Sequence, residues 1–119
     1  MSVALMEMRA TEETIDWAHD ELGLNYREIG AALQAHERTV LRWKARQSLA
    51  SPRHRKRMED LRELRHLLRE VFRDEEAAST WLRSSVPALR GRTPISYIRA
   101  GRVGRVLEIL ATFQAGAFT

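Results

Sequence analysis

The chain has 119 residues, of which 44% are hydrophobic and 30% are charged, with 20 Lys and Arg against 16 Asp and Glu. This composition can bury a core, in one domain or in two small helical subdomains. The absence of cysteine excludes a disulfide framework, a thiolate nucleophile and a cysteine-based metal site, and the cytoplasm is the expected setting.

The first predicted element is a helix that starts at Thr11 or a neighbouring residue and ends before Gly23. Its apolar face comprises Ile15, Ala18 and Leu22. The preceding apolar patch, residues 3 to 8, is short, is interrupted by Glu7 and lacks a basic start. We therefore expect neither a secretory signal nor a membrane span. Four of its residues are candidates for an extra helix that packs on a second subunit: Val3, Leu5, Met6 and Met8.

Residues 26 to 44 have the pattern of a helix-turn-helix. Gly30 supplies the small residue expected where the second helix crosses the first. Asn25 can cap the first helix, and Glu28 can complete a capping box. Gln34 occupies the turn position with positive φ, where a residue other than glycine costs about 1 kcal/mol. The positions expected to be buried between the two helices are Ile29, Leu33, Val40 and Trp43.

The outer face of the second helix is placed to read the major groove of DNA. Arg38 and Arg42 can each form a bidentate pair with the edge of a guanine, and Glu37 can accept a hydrogen bond from a cytosine amine. Each such pair contributes roughly 1–3 kcal/mol of discrimination against other bases. His36 can cap the helix or contact a phosphate. The residues expected to hold phosphates are Thr39, Lys44, Arg46, Arg53, Arg55, Lys56 and Arg57. The alternative is a helical hairpin that contacts no nucleic acid.

The charge distribution favours the DNA-binding interpretation. Residues 36 to 57 carry eight basic residues against one acid, Glu37, a net charge of +7, whereas residues 1 to 35 carry a net charge of −5. A basic segment that coincides with the recognition helix and its continuation is typical of a phosphate-binding face.

A long helix is predicted from Pro52 to about Phe72, with Ser51 as its N-cap. The cations at residues 53 to 57 lie at its N-terminus, where the helix dipole disfavours positive charge by roughly 0.3–1 kcal/mol each. We therefore expect anions outside the helix to compensate them. The apolar stripe of this helix belongs to the core or to a dimer seam: Met58, Leu61, Leu64, Leu68 and Phe72.

The last third of the chain also reads as helical. A short helix over residues 74 to 82 is followed by a loop marked by Pro87 and Gly91. Thr93 and Pro94 start another short helix, and a final helix ends at Gly116. The predicted fold class is all-α. It has a helix-turn-helix bundle at residues 1–50, a connecting helix at 51–73 and a small helical domain at 74–119.

No catalytic constellation is visible in the sequence. The histidines have no zinc-type spacing: His19, His36, His54 and His66. Apart from His36, they are expected at the surface. Ser84-Ser85 and Glu75-Glu76 have no suitable base or nucleophile nearby. We therefore predict no enzyme activity and no cofactor. The three tryptophans, at positions 17, 43 and 81, are expected in the core.

The order of features in the last third resembles the toxin-binding domain of Xre/MbcA/ParS-type antitoxins. These features are Trp81-Leu82, the segment Leu89-Arg90-Gly91-Arg92-Thr93-Pro94, Ile98, Gly101, Val106-Leu107, Leu110 and Gly116-Ala117-Phe118. Members of that family also place a helix-turn-helix before this domain, so the resemblance covers nearly the whole chain.

The resemblance implies a cognate RES-domain toxin that consumes NAD. In such antitoxins the C-terminal end lies against or in the toxin's NAD pocket. The carried-over residues are Gly116, Ala117, Phe118 and Thr119, flanked by Arg102 and Arg105. The predicted protein is a dimeric or higher cytoplasmic antitoxin that represses its own operon. Two alternatives remain: a helix-turn-helix transcription regulator without a toxin, and an interaction module whose helix-turn-helix serves only packing.

Overall fold

The computed structural model describes residues 2–116. Within this range the chain forms seven α-helices, and their order confirms the predicted all-α fold. The helices are α1 (Val3–Asp20), α2 (Tyr26–Leu33), α3 (Glu37–Lys44), α4 (Pro52–Val71), α5 (Glu75–Leu82), α6 (Pro94–Arg99) and α7 (Val103–Gln114). A 3₁₀ turn spans Pro87–Leu89, and one isolated antiparallel bridge joins Val86 to Arg92. No helix of the described part is long and apolar enough to cross a membrane.

The chain forms two compact units, with the division between residues 59 and 60 inside α4. The first unit contains α1, the helix-turn-helix formed by α2 and α3, and the start of α4. Its buried side chains come from all four helices and from the connection between α1 and α2, and they include Ile15, Leu24, Ile29, Leu33, Val40, Trp43 and Met58. All four positions expected between α2 and α3 are therefore buried.

The second unit is built from the rest of α4 and the three C-terminal helices. Of the predicted stripe of α4, Leu61, Leu64 and Leu68 are buried in this unit, together with Leu67. Met58 is buried in the first unit, whereas Phe72 is only half-buried. Further along the chain, Val86, Leu89 and Ile109 form a buried cluster. Trp81, Tyr97 and Phe113 are only partly buried and pack against this cluster. Trp17 and Trp43 are buried as predicted.

The predicted start of the first helix was wrong. α1 begins at Val3, capped by Ser2, whose Oγ accepts from the amide of Leu5 at 3.1 Å, so residues 3 to 10 are no separate helix. Thr11 is a buried residue inside α1. Thr14 lies about one turn further along α1, and its hydroxyl donates to the Ala10 carbonyl oxygen at 2.8 Å. This bond gives the threonine hydroxyl a partner within the helix.

The predicted caps of α2 and α6 are confirmed. Asn25 and Glu28 form a reciprocal capping box at α2, with bonds of 2.8 and 2.9 Å. Thr93 caps α6, accepting from the amide of Ser96 at 3.2 Å. Asp74, which was predicted as the first residue of its helix, instead caps α5 from outside.

Candidate binding surfaces

The turn between α2 and α3 has the geometry that the sequence predicts. Gln34 adopts the left-handed conformation, with φ 55° and ψ 46°. A Cβ at Gly30 would lie 2.4 Å from the carbonyl oxygen of Ala35. Gly30 is therefore required by the backbone of the turn itself, rather than by the side chains of the second helix.

The outward face of α3 exposes the residues predicted to read base edges. Arg38 and Arg42 lie four residues apart, so they share one helix face, and both are exposed. Leu41 is 42% exposed. His36 stands at the N-cap position of α3 but makes no side-chain capping bond. The outward face of α3 and its N-cap thus expose His36, Glu37, Arg38, Leu41 and Arg42. Thr39, which was predicted to hold a phosphate, is half-buried.

Two cations predicted to bind phosphates are paired with carboxylates of α1. Lys44 Nζ lies 2.6 Å from Asp16 Oδ1, and the guanidinium of Arg46 donates to the carboxylate of Glu12. The hydrogen bond to Asp16 is the main cause that raises the pKa of Lys44 above the ordinary lysine value, against a smaller opposing effect of burial. These pairs join α3 and the residues that follow it to α1.

A third pair involves the start of α4. Arg55 Nη2 lies 3.7 Å from Glu7 Oε2, so part of the compensation expected from outside the helix is supplied by α1. No local sequence pattern predicts a pairing role for Glu7, Glu12 or Asp16. The only signal for them was the net charge of −5 over residues 1 to 35.

The remaining cations of the basic segment lie on the first turns of α4. Arg53 and Lys56 are exposed, and Arg57 is half-buried. Between them, His54 is half-buried rather than fully at the surface as predicted. Its Nδ1 lies 2.8 Å from Ser51 Oγ and its Nε2 lies 3.2 Å from the Gln34 carbonyl oxygen. Its ring also meets Trp43 edge-on at 5.1 Å, so His54 links the turn of the helix-turn-helix to α4.

His19 was also expected at the surface but is half-buried. Its Nδ1 lies 2.9 Å from the Leu24 carbonyl oxygen, and its ring stacks on Tyr26 with centroids 4.4 Å apart. Within residues 2–116 no group of three or more His, Cys, Asp or Glu side chains is arranged to hold a metal ion.

The second candidate surface lies around the start of α7. Arg102 Cζ lies 4.8 Å from the ring centroid of Tyr97. Arg105 donates to the Ala88 carbonyl oxygen at 3.0 Å and to Glu108 at 2.9 Å. Gly116, just after α7, has φ 80°. The other predicted tail residues lie outside the described part of the chain: Ala117, Phe118 and Thr119.

Comparison with known proteins gives one consistent result. Residues 67–116 match the family model described as the antitoxin Xre/MbcA/ParS C-terminal toxin-binding domain. The chain is 30% identical over 113 residues to the mycobacterial cidal antitoxin MbcA of Mycobacterium bovis and of Mycobacterium tuberculosis. These alignments cover 95% of this chain and 99% of each relative.

A solved structure shows the same similarity. The chain resembles a chain of the M. tuberculosis MbcT-MbcA toxin-antitoxin complex with a TM-score of 0.59 and 30% identity. This match covers 91% of the present chain and 96% of the other. The similarity in sequence and the similarity in fold therefore both extend over nearly the full length of the chain.

Proposed function

Because the chain belongs to the Xre/MbcA/ParS antitoxin family and is the antitoxin of a toxin–antitoxin system, we propose that it neutralises a RES-domain toxin that consumes NAD. The observation that carries this proposal is the near-full-length similarity to MbcA, which was solved in complex with the toxin MbcT. The features from Trp81-Leu82 to Gly116 that resemble the family lie within or close to the matched domain.

The inhibitory segment in this proposal is the tail that follows α7. Gly116 supports it, since its φ of 80° lets the chain leave the helix sharply. Beyond it, Phe118 supplies a large apolar group among small residues, which suits an anchor in a pocket. In this arrangement the tail fills the toxin's NAD pocket, while Arg102 and Arg105 contact the toxin beside it.

The tail is tested by measuring cellular NAD while the chain is co-expressed with the protein encoded beside its gene. The full chain should preserve NAD, whereas a variant that lacks residues 116–119 should fail to do so while keeping its helical circular dichroism. Phe118→Ala should lose most of the protection, and Thr119→Ser serves as its matched control. Full protection by the truncated variant would refute the tail mechanism.

DNA binding is the second proposed activity, and the exposure of Arg38 and Arg42 on one face of α3 favours it. Arg53 and Lys56 extend this basic surface onto α4. The chain would thereby repress its own operon. DNA from upstream of its reading frame should bind with an affinity that falls steeply as salt increases, because neutralised phosphates release counterions. An affinity that does not depend on salt would leave the helix-turn-helix with a packing role only.

Self-association completes the proposal, because a dimer matches a two-fold symmetric operator. The start of α1 supports it: Val3, Leu5 and Met6 are 76%, 52% and 56% exposed, an unusual exposure for large apolar side chains. Sedimentation of the wild type beside a Val3→Ser/Leu5→Ser/Met6→Ser variant tests this. A dimer that the variant retains would place the interface elsewhere.

A further inference from the structure

Residues 83 to 107 carry an unbalanced positive charge that no proposal above uses in full. This segment contains six arginines and no Asp or Glu. The arginines are Arg83, Arg90, Arg92, Arg99, Arg102 and Arg105, and all six are exposed. The segment lies inside the region matched to the toxin-binding family model, far along the chain from the helix-turn-helix.

The fold brings four of these arginines to one place. Arg90 and Arg92 lie on the tight loop that the Val86–Arg92 bridge closes. Arg105 donates to the Ala88 carbonyl in that loop at 3.0 Å. Arg102 is the N-cap residue of α7, three positions before Arg105 in its first turn. We call the group Arg90, Arg92, Arg102 and Arg105 the arginine patch.

The patch borders partly exposed aromatic side chains. Arg102 lies over the ring of Tyr97, which packs on the Val86–Leu89–Ile109 cluster. Trp81 and Phe113 pack on the same cluster and meet each other with ring centroids 5.8 Å apart. Aromatic side chains beside arginine are the composition typical of protein–protein interfaces and of their energetic hot spots.

Two arginines of the patch stand at an end of α7 where positive charge is electrostatically unfavourable. Arg102 and Arg105 lie at the N-terminal end of the helix, whose first turn holds no acidic residue. The helix dipole disfavours cations there. Glu108 offsets only Arg105, to which it is bonded at 2.9 Å. An external anionic surface would relieve this cost at Arg102 and would also face Arg90 and Arg92.

We propose that the arginine patch docks on an acidic face of the partner toxin, with Arg90, Arg92 and Arg102 making the main charged contacts, while Arg105 contacts the toxin beside them and also holds the loop through its bond to Ala88. This inference rests on the proposed antitoxin function. It adds the statement that the toxin surface bound by the patch is negatively charged. Complementary charge of this kind speeds association and selects the cognate partner. A protein partner fits better than DNA, because Arg102 lies over the ring of Tyr97 within the matched toxin-binding domain, and Tyr97 packs on the same cluster as Trp81 and Phe113.

The experiment measures association of the full chain with the protein encoded beside its gene, at several salt concentrations. The test variant is Arg90→Gln/Arg92→Gln/Arg102→Gln. The control, Arg9→Gln/Arg27→Gln/Arg69→Gln, removes the same charge from exposed arginines outside the patch. We expect the test variant to lower the association rate about tenfold at low salt and to flatten its salt dependence, as for other steered complexes. The control should keep the wild-type rate within about twofold. Arg90→Lys/Arg92→Lys/Arg102→Lys should retain most of the rate.

Each outcome separates this inference from the function on which it rests. The inference would be overturned if the association rate of the wild type did not change with salt and the test variant associated at the same rate. The antitoxin function would then remain intact. A test variant that binds the toxin normally but loses affinity for DNA would assign the patch to nucleic acid and overturn it as well. If the wild type forms no complex even at low salt, the proposed function fails and the inference fails with it. The salt dependence of the association rate is measured on the wild type itself. A folding defect in a variant therefore cannot mask this result.

Discussion

Lys44 Nζ, at the end of α3, lies 2.6 Å from Oδ1 of Asp16 on α1, 28 positions earlier in the chain. This ion pair joins α3, the recognition helix in the proposed DNA binding, to α1. Together with the Arg46–Glu12 and Arg55–Glu7 pairs, it means that α1 already neutralises part of the basic segment. The cations best placed for the proposed DNA binding are therefore Arg38 and Arg42 on the exposed face of α3 and Arg53 on the first turn of α4.

The first prediction concerns the stability that the Lys44–Asp16 pair contributes. Asp16→Asn should lower the free energy of unfolding by about 0.2–1 kcal/mol near neutral pH, the range for pairs that are partly solvent-exposed. Because the pair raises the pKa of Lys44, its contribution is complete below the ordinary lysine pKa of about 10.4 and disappears as pH rises through the higher folded-state pKa. Urea unfolding at several pH values measures this.

Glu13→Gln, on an exposed position of the same helix, is the control for the ion pair. A difference between Asp16→Asn and wild type that persists unchanged well above the lysine pKa would show that the pair is not its source.

The second prediction separates structural cations from DNA-binding ones. Arg53→Ala should reduce the slope of log affinity against log salt by about one, as expected for the loss of one phosphate contact. Lys44→Ala should change the slope less, because Asp16 already engages that ammonium group. Arg38→Ala should instead reduce discrimination between operator and unrelated DNA, by roughly 1–3 kcal/mol. Equal slopes for the Lys44 and Arg53 variants would contradict this division.

The third prediction concerns Gly30. A methyl group there would lie 2.4 Å from the Ala35 carbonyl oxygen, a backbone atom that cannot rotate away. Gly30→Ala should therefore destabilise the chain by about 1–3 kcal/mol. Gly104, on α7, has no atom within 4 Å of the equivalent position, so Gly104→Ala should be neutral or stabilising by up to about 1 kcal/mol. Chemical unfolding of both variants checks the contrast, and equal effects would refute the steric explanation.

The fourth prediction concerns the left-handed residue of the turn. Gln34→Gly should stabilise the chain by about 0.5–1 kcal/mol, since glycine adopts φ 55° without the strain of a Cβ. Gln34→Ala keeps the Cβ and should change stability little, which makes it the control. The bond from His54 uses the backbone carbonyl of residue 34, so neither substitution removes it. A destabilised glycine variant would show that the Gln34 side chain has a role of its own.

Local signals predicted much of the fold, because the decisive interactions span only a few residues. The Asn25–Glu28 capping box, the Thr93 cap and the left-handed Gln34 each depend on groups within four positions. The start of α1 was misplaced because threonine serves equally as a cap and as a residue inside a helix. Only the surroundings of Thr11, which is buried, decide between the two.

The candidate sites were harder to predict, because their interactions join distant parts of the chain. Lys44, Arg46 and Arg55 look alike in sequence to Arg42 and Arg53. The carboxylates that pair with them lie 28 to 48 positions away and become neighbours only in the fold. Similarly, no local pattern indicates that Arg105 bonds to the loop that carries Arg90 and Arg92.

The antitoxin function itself is tested most directly by co-expression with the protein encoded beside this gene, followed by growth measurement and co-purification. We predict that the neighbouring protein alone arrests growth, that this chain restores growth, and that the two proteins purify as a stable complex. Growth arrest that this chain does not relieve, with no complex recovered, would contradict the account.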